Sequence, residues 1–168
     1  VTSFTTLSEK YSADYIASIL NCFSRAVVEN VKGGKVLKFL GDAVLVCYDD
    51  AQAAIENAIF ISKRVEDALK KVKVDVKATY GLHTGRAYIG TIGGRQRMDY
   101  TAIGDAVNVA SRLQGLCKEY EEKIIISGDT VELTELQPTL FHIDSIKVKG
   151  RESALKIYTL PASGAIFE

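Results

Sequence analysis

The stretch "RQRMDYTAIGDAVNVASRLQGL", residues Arg95–Leu116, joins a strand-like segment to a helix-like segment through Gly104. Asn108 and Arg112 lie four residues apart in the helical part, so they project from the same face. A helix that packs on a sheet normally presents apolar side chains on its buried face. The two polar residues are therefore either surface residues or partners for one ligand, and a guanidinium suits a phosphate because it donates two hydrogen bonds at once.

The composition of the 168-residue chain is that of one globular domain, with 47% hydrophobic and 25% charged residues. The 21 basic and 21 acidic side chains balance, which argues against a nucleic-acid surface because such domains are usually strongly basic. No signal peptide or apolar run of about 18 residues is present, so we expect no membrane-spanning helix. The three cysteines form no CxxC pair and are interpreted as buried, reduced thiols of a cytosolic protein.

Hydrophobic periodicity predicts the secondary structure. Helical spacing predicts long helices over 14–31, 51–72 and 105–119, and a short helix in "GDTVELTEL" with Asp129 as its cap. Alternating or apolar runs predict strands over 35–40, 43–48, 74–82, 86–94, 97–103, 123–127, 140–150 and 154–160. This order predicts an α+β fold with one mostly antiparallel central sheet and helices packed on it.

Asp42 and Lys38 are candidate site residues on the first predicted hairpin. Asp42 is either an ordinary turn aspartate or a ligand for a hard cation such as Mg²⁺, which prefers carboxylate oxygens. Lys38 shares a strand face with Leu40 and points either to solvent or into a polar pocket. Spacing alone does not decide between these alternatives.

The remaining candidate features give weaker indications. The loop "FTTLSE" could cradle phosphate oxygens with its backbone N–H groups, although the chain has neither a Walker A motif nor GxGxxG. His83 and His142 are far apart and have no serine elbow or cysteine partner, so nucleophilic hydrolase chemistry is unsupported. Both histidines are interpreted as structural.

Five segments in order resemble the catalytic domain of class III nucleotide cyclases: "FTTLSE", "KFLGDAVL", "GLHTG", "DYTAIGDAVNVASRL" and "IKVKG". The resemblance runs from Val1 to about Leu160 and implies the ferredoxin-like fold of that family. It implies a catalytic domain over residues 1–160 and a C-terminal tail over 161–168. The chain begins without Met in what looks like the end of a strand, so we expect the first strand, with its metal-binding aspartate, upstream of Val1.

The resemblance also implies roles for individual residues. Two metal ions, Mg²⁺ or Mn²⁺, would be held by Asp42, by the expected upstream aspartate and by the carbonyl of Val1. Asn108 would orient the ribose and Arg112 would stabilise the pentavalent phosphate, and these two are the catalytic candidates. The substrate-binding candidates are Lys38 and Thr101 for the purine, Ala102 for a backbone contact with it, and Phe4, Thr5 and Lys149 for the triphosphate.

The purine-reading pair favours ATP as the substrate. A lysine donates to N1 of adenine, whereas N1 of guanine carries a proton, and a threonine can accept from the 6-amino group. Cyclases that prefer GTP typically have glutamate at the position of Lys38. The Lys38/Thr101 pair resembles the cyanobacterial and soluble, bicarbonate-responsive adenylyl cyclases, which makes bicarbonate a candidate regulator.

The resemblance implies a head-to-tail homodimer in which each active site is shared. Lys38, Thr101, Asn108, Arg112 and Lys149 would come from one subunit, and Asp42 and the phosphate loop from the other. We expect a cytoplasmic protein, or the cytosolic part of a larger membrane-attached protein with an upstream sensor domain. The alternatives are a guanylyl cyclase and a non-catalytic dimerisation or nucleotide-sensing domain; only the absent first aspartate favours the latter.

Overall fold

The computed structural model describes residues 9–74, 76–94, 96–148 and 153–161 of the chain. Their elements follow the order that the sequence predicts, with an additional 3-10 helix at Gln137–Thr139. The helices are α1 (Ala13–Val28), α2 (Ala51–Lys71), α3 (Asp105–Leu116) and α4 (Gly128–Val131). The strands are β1 (Gly34–Leu40), β2 (Ala43–Tyr48), β3 (Tyr80–Leu82), β4 (Tyr88–Gly94), β5 (Arg97–Ile103), β6 (Ile124–Ser127), β7 (Phe141–Ile146) and β8 (Leu155–Thr159).

The described strands pair in three sets. A four-stranded sheet has the order β3-β6-β8-β7, and β1–β2 and β4–β5 are antiparallel hairpins. Among the strands that the structure describes, β3 and β6 are the one pair that runs parallel. The α+β class and the mostly antiparallel pairing are therefore confirmed, while the sheet predicted as continuous is divided among the three sets.

The strand predicted over 74–82 is much shorter, since only Tyr80–Leu82 pairs with β6. Val76 and Ala78 are nevertheless buried, so the alternation did predict which side chains face inward. The alternation of apolar and polar residues indicates which side chains are buried, but it does not indicate whether a neighbouring strand is present to form hydrogen bonds. For this reason the predicted strand was too long.

The helices begin at side-chain caps. Ser12 accepts a hydrogen bond from the backbone N–H of Tyr15 at the start of α1, and Asp50 accepts one from Ala53 at the start of α2. The cap of α4 is Ser127 and not Asp129, because Ser127 directly precedes the helix and its hydroxyl accepts from Thr130. Asp129 lies in the first turn of α4, where its charge still favours the helix dipole.

The chain divides into two compact units between Thr79 and Tyr80. In the first unit, α1 packs on α2 through buried residues that include Ile19, Phe23, Ile55 and Leu69. In the second unit, a core cluster joins α3 to the four-stranded sheet. Its buried members are Val109, Leu113, Cys117, Ile125, Val148, Leu155 and Ile157.

Two further sequence predictions concern membrane-spanning helices and the burial of the cysteines. Across the described ranges, no helix combines the length and apolarity that a bilayer crossing requires. All three cysteines were expected to be buried, but only Cys117 is; Cys22 and Cys47 are half-buried. Burial raises the pKa of the Cys117 thiol to about 11, which is the direction expected for a thiol kept away from water.

Candidate active site

The β1–β2 hairpin carries two of the predicted site residues. Lys38 lies opposite Leu45, and the two-residue turn Gly41–Asp42 closes the hairpin. Gly41 adopts a φ of 62°, a left-handed conformation that glycine reaches without steric cost. Lys38 and Asp42 are both half-buried, so part of each side chain remains accessible to solvent. The structure thus brings the purine candidate and the metal candidate onto one short hairpin.

A β-bulge precedes Lys38 on this hairpin. The register shifts between Val36 and Lys38, which leaves Leu37 as the extra residue. Two residues of the bulged strand then oppose one residue of the partner, and the local twist increases. Strict alternation therefore does not apply across Leu37, and sequence reasoning, which assumed a regular strand there, did not predict the bulge.

A buried asparagine holds the base of the hairpin. Asn57 in α2 is 6% exposed, and its Oδ1 accepts hydrogen bonds from the Tyr48 hydroxyl at 2.6 Å and from the Lys32 backbone N–H at 2.9 Å. Its Nδ2 donates to the carbonyl of Asn30 at 3.0 Å. Burial is the main cause that raises the pKa of Tyr48 to about 12, so the phenol stays a donor over a wide pH range. Sequence reasoning missed Asn57 because its partners are distant in the chain.

The β5–α3 segment carries the next four predicted residues. Thr101 lies opposite Gly90 and Ala102 lies opposite Ile89 in the β4–β5 hairpin, and both Thr101 and Ala102 are half-buried. Gly104 is the cap residue directly before α3. A side chain would not fit at this position, because an added Cβ would lie 2.7 Å from the carbonyl oxygen of Arg86. This close approach fixes where the strand ends and the helix begins.

Asn108 and Arg112 lie on the exposed side of α3, one turn apart. The opposite side is buried, with Val109 1% and Leu113 0% exposed. Both polar side chains therefore point away from the core, which is compatible with a surface position and with a shared ligand alike. That they line a cleft with a shared ligand stays a prediction.

The position of α3 depends on a glycine in the neighbouring strand. A Cβ added to Gly81 in β3 would lie 2.2 Å from the carbonyl oxygen of Ala110 and 2.3 Å from the backbone nitrogen of Gln114. Real Cβ atoms do not approach backbone atoms so closely, so only glycine permits this packing. The helix that carries Asn108 and Arg112 is therefore seated directly on β3.

A second buried polar network lies at the carboxyl ends of the parallel strands β3 and β6. His83 Nδ1 lies 2.8 Å from Ser127 Oγ, which lies 3.0 Å from Thr130 Oγ1. The Thr84 hydroxyl donates to Thr130 Oγ1 at 3.1 Å. Ser127 and Thr130 are 0% and 2% exposed. Sequence reasoning interpreted His83 as structural but did not predict its partners.

Four of the predicted site residues cannot be placed. Val1, Phe4 and Thr5 and the triphosphate candidate Lys149 lie outside the described residues. Their assignment rests on the resemblance alone.

The donor chemistry for a metal is only partly present. The carboxylate of Asp42 is the kind of oxygen ligand that Mg²⁺ and Mn²⁺ take. In the described parts of the chain, however, no three His, Cys, Asp or Glu side chains are grouped so that they could hold a metal ion. Asp42 therefore fits a divalent cation as one ligand of a set that has to be completed by other residues.

A surface cavity of about 460 Å³ lies elsewhere in the second unit. None of the predicted site residues lines it. Its walls are Gly128, Asp129, Glu132, Ser153, Ala154, Leu155 and Lys156.

Comparison with known proteins identifies the family. The model of the adenylate and guanylate cyclase catalytic domain matches residues 1–162, so the chain belongs to this family. The chain is 32% identical to the terminal-differentiation specific adenylate cyclase of Dictyostelium discoideum and to the adenylate cyclase of Anabaena cylindrica, over 94% and 96% of its length. It spans only 8% and 35% of those two proteins.

Solved structures agree with this assignment. The crystal structure of the adenylyl cyclase CyaB from P. aeruginosa superimposes with a TM-score of 0.74 at 30% identity. The match covers 95% of the present chain and 88% of that one. The expected class III cyclase fold is thereby confirmed.

Proposed function

We propose that the chain is an adenylyl cyclase domain that converts ATP to 3′,5′-cyclic AMP and pyrophosphate. The observation that carries the proposal is the exposed pair Asn108 and Arg112, one turn apart on a helix whose other side is buried in the core. An amide and a guanidinium kept at the surface at this spacing can contact a sugar and its phosphate together. The relatives named adenylate cyclase support the same reaction.

In this proposal the two residues of α3 act on the reacting groups. Asn108 holds the ribose so that its 3′-oxygen is aligned with the α-phosphate, which supplies proximity and orientation. Arg112 donates to the α-phosphate oxygens as negative charge develops on them during the attack. Phe4, Thr5 and Lys149 hold the triphosphate chain, with the backbone of the loop as donor.

We propose two divalent cations, Mg²⁺ or Mn²⁺, in each active site. When bound, they lower the pKa of the 3′-hydroxyl and neutralise the leaving pyrophosphate. Asp42 at the hairpin turn is one ligand, and the carbonyl of Val1 and a carboxylate upstream of it are the others. The half-buried position of the Asp42 side chain supports this role.

ATP is preferred over GTP in this proposal because of the hydrogen-bonding pattern of the purine. Lys38 has only donors, which suit the acceptor N1 of adenine and would face the N–H of guanine. The hydroxyl of Thr101 accepts from the 6-amino group, and the backbone of Ala102 adds a contact. The family itself includes both adenylate and guanylate cyclases, so the choice rests on these side chains.

We propose that two copies assemble head to tail through the β4–β5 hairpin. Six of its large apolar side chains are at least 40% exposed: Tyr88, Ile89, Ile92, Met98, Tyr100 and Ile103. In the hairpin register Tyr88 lies opposite Ile103, and both are on the same face as Thr101. Ile89 and Tyr100 lie on the other face. A two-stranded hairpin with apolar side chains exposed on both faces is only marginally stable by itself, and a second copy would cover it.

The setting of the domain is also a proposal. The relatives are longer than the chain, which supports further domains such as an upstream sensor. ATP as substrate favours a cytoplasmic location, free or on the cytosolic side of a membrane-attached protein. Bicarbonate is a candidate regulator, proposed only from the Lys38/Thr101 subtype.

The direct test is to assay the full-length gene product with ATP and with GTP, each with Mg²⁺ and with Mn²⁺. We expect cyclic AMP as the main product. A preference for GTP would contradict the role of Lys38. Nucleotide binding without turnover under all four conditions would favour a sensing domain.

Mixing two impaired variants tests the shared site. Asp42→Ala and Arg112→Ala homodimers should both retain little activity, because every site lacks one group that contributes to turnover. In a head-to-tail heterodimer one site carries both lesions and the other carries none, so an equal mixture should recover about a quarter of the wild-type activity. A mixture that gains no activity although heterodimers form would contradict a site shared in this way.

A further inference from the structure

The polar network His83–Ser127–Thr130–Thr84 takes no part in the proposed reaction, although Ser127 and Thr130 are buried and His83 and Thr84 are half-buried. Two of its hydroxyls are fully inside the protein, and each is within hydrogen-bond distance of another member. Ser127 additionally accepts from the backbone N–H of Thr130 as the cap of α4. Satisfied buried networks of this kind rigidify the segments that carry them, because breaking one bond leaves a desolvated group behind.

The network immobilises the segment that follows β3. Ser127 and Thr130 belong to β6 and α4, whereas His83 and Thr84 belong to the connection between β3 and β4. The side chains of His83 and Thr84 are therefore hydrogen-bonded across to a second strand end and its helix. This fixes the backbone of the connection at two successive residues.

The same connection contacts the start of α3. A Cβ added to Gly85 would lie 3.3 Å from His83 Nε2 and 3.0 Å from Ala106 Cβ, so this glycine fills the narrow space between the histidine ring and the first turn of the helix. Arg86 is the residue after Gly85, and its carbonyl oxygen would lie 2.7 Å from a Cβ added to Gly104. The connection after β3 thus runs so close to Gly104 and Ala106, on the two sides of the strand-to-helix junction, that little space is left for an added side-chain atom at either glycine.

We infer that His83 is a positioning residue that sets the start of α3, and through it the catalytic pair Asn108 and Arg112. The inference rests on the proposed function, because it assigns His83 an effect on the reaction that Asn108 and Arg112 perform. Gly81 lets the middle of α3 pack closely on β3, and the His83 network positions the first turn of α3. Asn108 lies only two residues beyond Ala106, so a shift of that turn moves its amide directly.

The physical consequence concerns turnover more than binding. The purine candidates Lys38 and Thr101 are on strands, and a shift of the first turn of α3 leaves the backbone of those strands in place. Misplacing the groups that align the ribose and stabilise the phosphate costs rate, since about 1 Å of displacement can cost on the order of a hundredfold. Loss of the network should therefore lower kcat with little change in KM.

The experiment compares His83→Ala with His83→Asn in the full-length protein. The Asn side chain places an amide near the position of Nδ1 and can keep the bond to Ser127, whereas Ala cannot. We expect kcat for ATP to fall about ten- to a hundredfold in H83A, with KM within about threefold, and to be largely restored in H83N. The matched control is His142→Ala, because that histidine is exposed on β7 and its Nε2 lies 3.4 Å from Ser145 Oγ.

A double-mutant cycle distinguishes positioning from general stability. If His83 acts through Asn108, H83A should change kcat far less in an Asn108→Ala background than in the wild type. Additive effects would overturn the inference, as would a kcat of H83A within about twofold of wild type. If H83A does not fold, Thr84→Val, which removes one hydroxyl of the network, takes its place with the same criteria.

These outcomes separate the two proposals. A wild-type protein that turns over neither ATP nor GTP defeats the proposed function. A wild-type enzyme that is active while its H83A or T84V variant keeps full kcat defeats only the role of His83. Thermal unfolding of each variant, measured alongside, shows whether lost activity reflects lost folded protein.

Discussion

Gly81 in β3 approaches α3 so closely that an added Cβ would lie 2.2 Å from the carbonyl oxygen of Ala110. We predict that Gly81→Ala pushes the helix away from the strand and lowers the free energy of unfolding by about 1–3 kcal/mol, the usual cost of overpacking. Denaturation in urea measures this loss. Activity should fall as well, because the displaced helix carries Asn108 and Arg112.

The matched control for Gly81→Ala is Gly115→Ala. Gly115 lies in α3, the helix that packs on Gly81, and a Cβ added to Gly115 would meet nothing within 4 Å. Because alanine suits a helix better than glycine does, this change should be neutral or stabilising by up to about 1 kcal/mol. Equal effects of the two substitutions would show that the close approach at Gly81 does not determine the position of α3.

Arg112→Ala tests the charge-stabilising role directly. We predict that the activation free energy rises by about 2–4 kcal/mol, as for other groups aimed at developing charge, while KM for ATP changes little. Steady-state kinetics at saturating and limiting ATP separates the two effects. The control is Ser111→Ala, the exposed neighbour on α3. An Arg112→Ala variant with unchanged kcat would refute the role.

The sequence predicted those parts of the molecule that depend on local patterns. The β1–β2 hairpin, the order of the elements and the placement of Asn108 and Arg112 on one face of α3 follow from periodicity and turn chemistry over a few residues. The resemblance supplied the roles of the site residues, which the structure alone does not assign.

The sequence did not predict contacts between distant residues. Asn57 accepts from Lys32, 25 positions away, and His83 bonds to Ser127, 44 positions away. A single asparagine or histidine on an otherwise ordinary element gives no indication of such a partner. The bulge at Leu37 was also missed, because it depends on the register with β2.

Asn57→Leu tests whether the buried amide fixes the base of the β1–β2 hairpin. The substitution leaves the hydroxyl of Tyr48, the N–H of Lys32 and the carbonyl of Asn30 without their partner in a partly buried place. We predict a loss of at least about 2 kcal/mol in the free energy of unfolding. The control is Asn21→Leu on the exposed side of α1, which should change stability by less than about 0.5 kcal/mol. Similar losses for both would contradict the role of Asn57.

The hydrogen bond from Tyr120 to Asp144, 2.6 Å long, gives stability a defined pH dependence. It lowers the pKa of Asp144 below the ordinary 3.8 and is the main cause that raises the pKa of Tyr120 to about 12. A lowered carboxyl pKa contributes stability above pH 3.8 that disappears as the pH falls through the folded-state value. A raised phenol pKa contributes stability below pH 10 that disappears as the pH rises toward 12.

Tyr120→Phe should therefore be less stable than the wild type at neutral pH. The difference should shrink in acid below pH 3.8 and in base between pH 10 and pH 12. Urea denaturation at a series of pH values measures it. Tyr11→Phe, at an exposed position outside the hairpin proposed to form the dimer, serves as the control. A difference that stays constant from pH 2 to neutrality would count against a bond to the ionised carboxylate.

Lys38→Glu tests the choice of purine. A carboxylate accepts hydrogen bonds, so it suits the N1–H of guanine and repels the acceptor N1 of adenine. We predict that the ratio of kcat/KM for ATP to that for GTP falls at least about tenfold, or about 1.4 kcal/mol. Lys35→Glu makes the same charge change on the same strand at an exposed position, and it should leave the ratio within about twofold. If both substitutions shift the ratio equally, general electrostatics rather than a contact with the base determines specificity. If neither does, the purine is recognised by other residues, and the assignment of Lys38 is wrong.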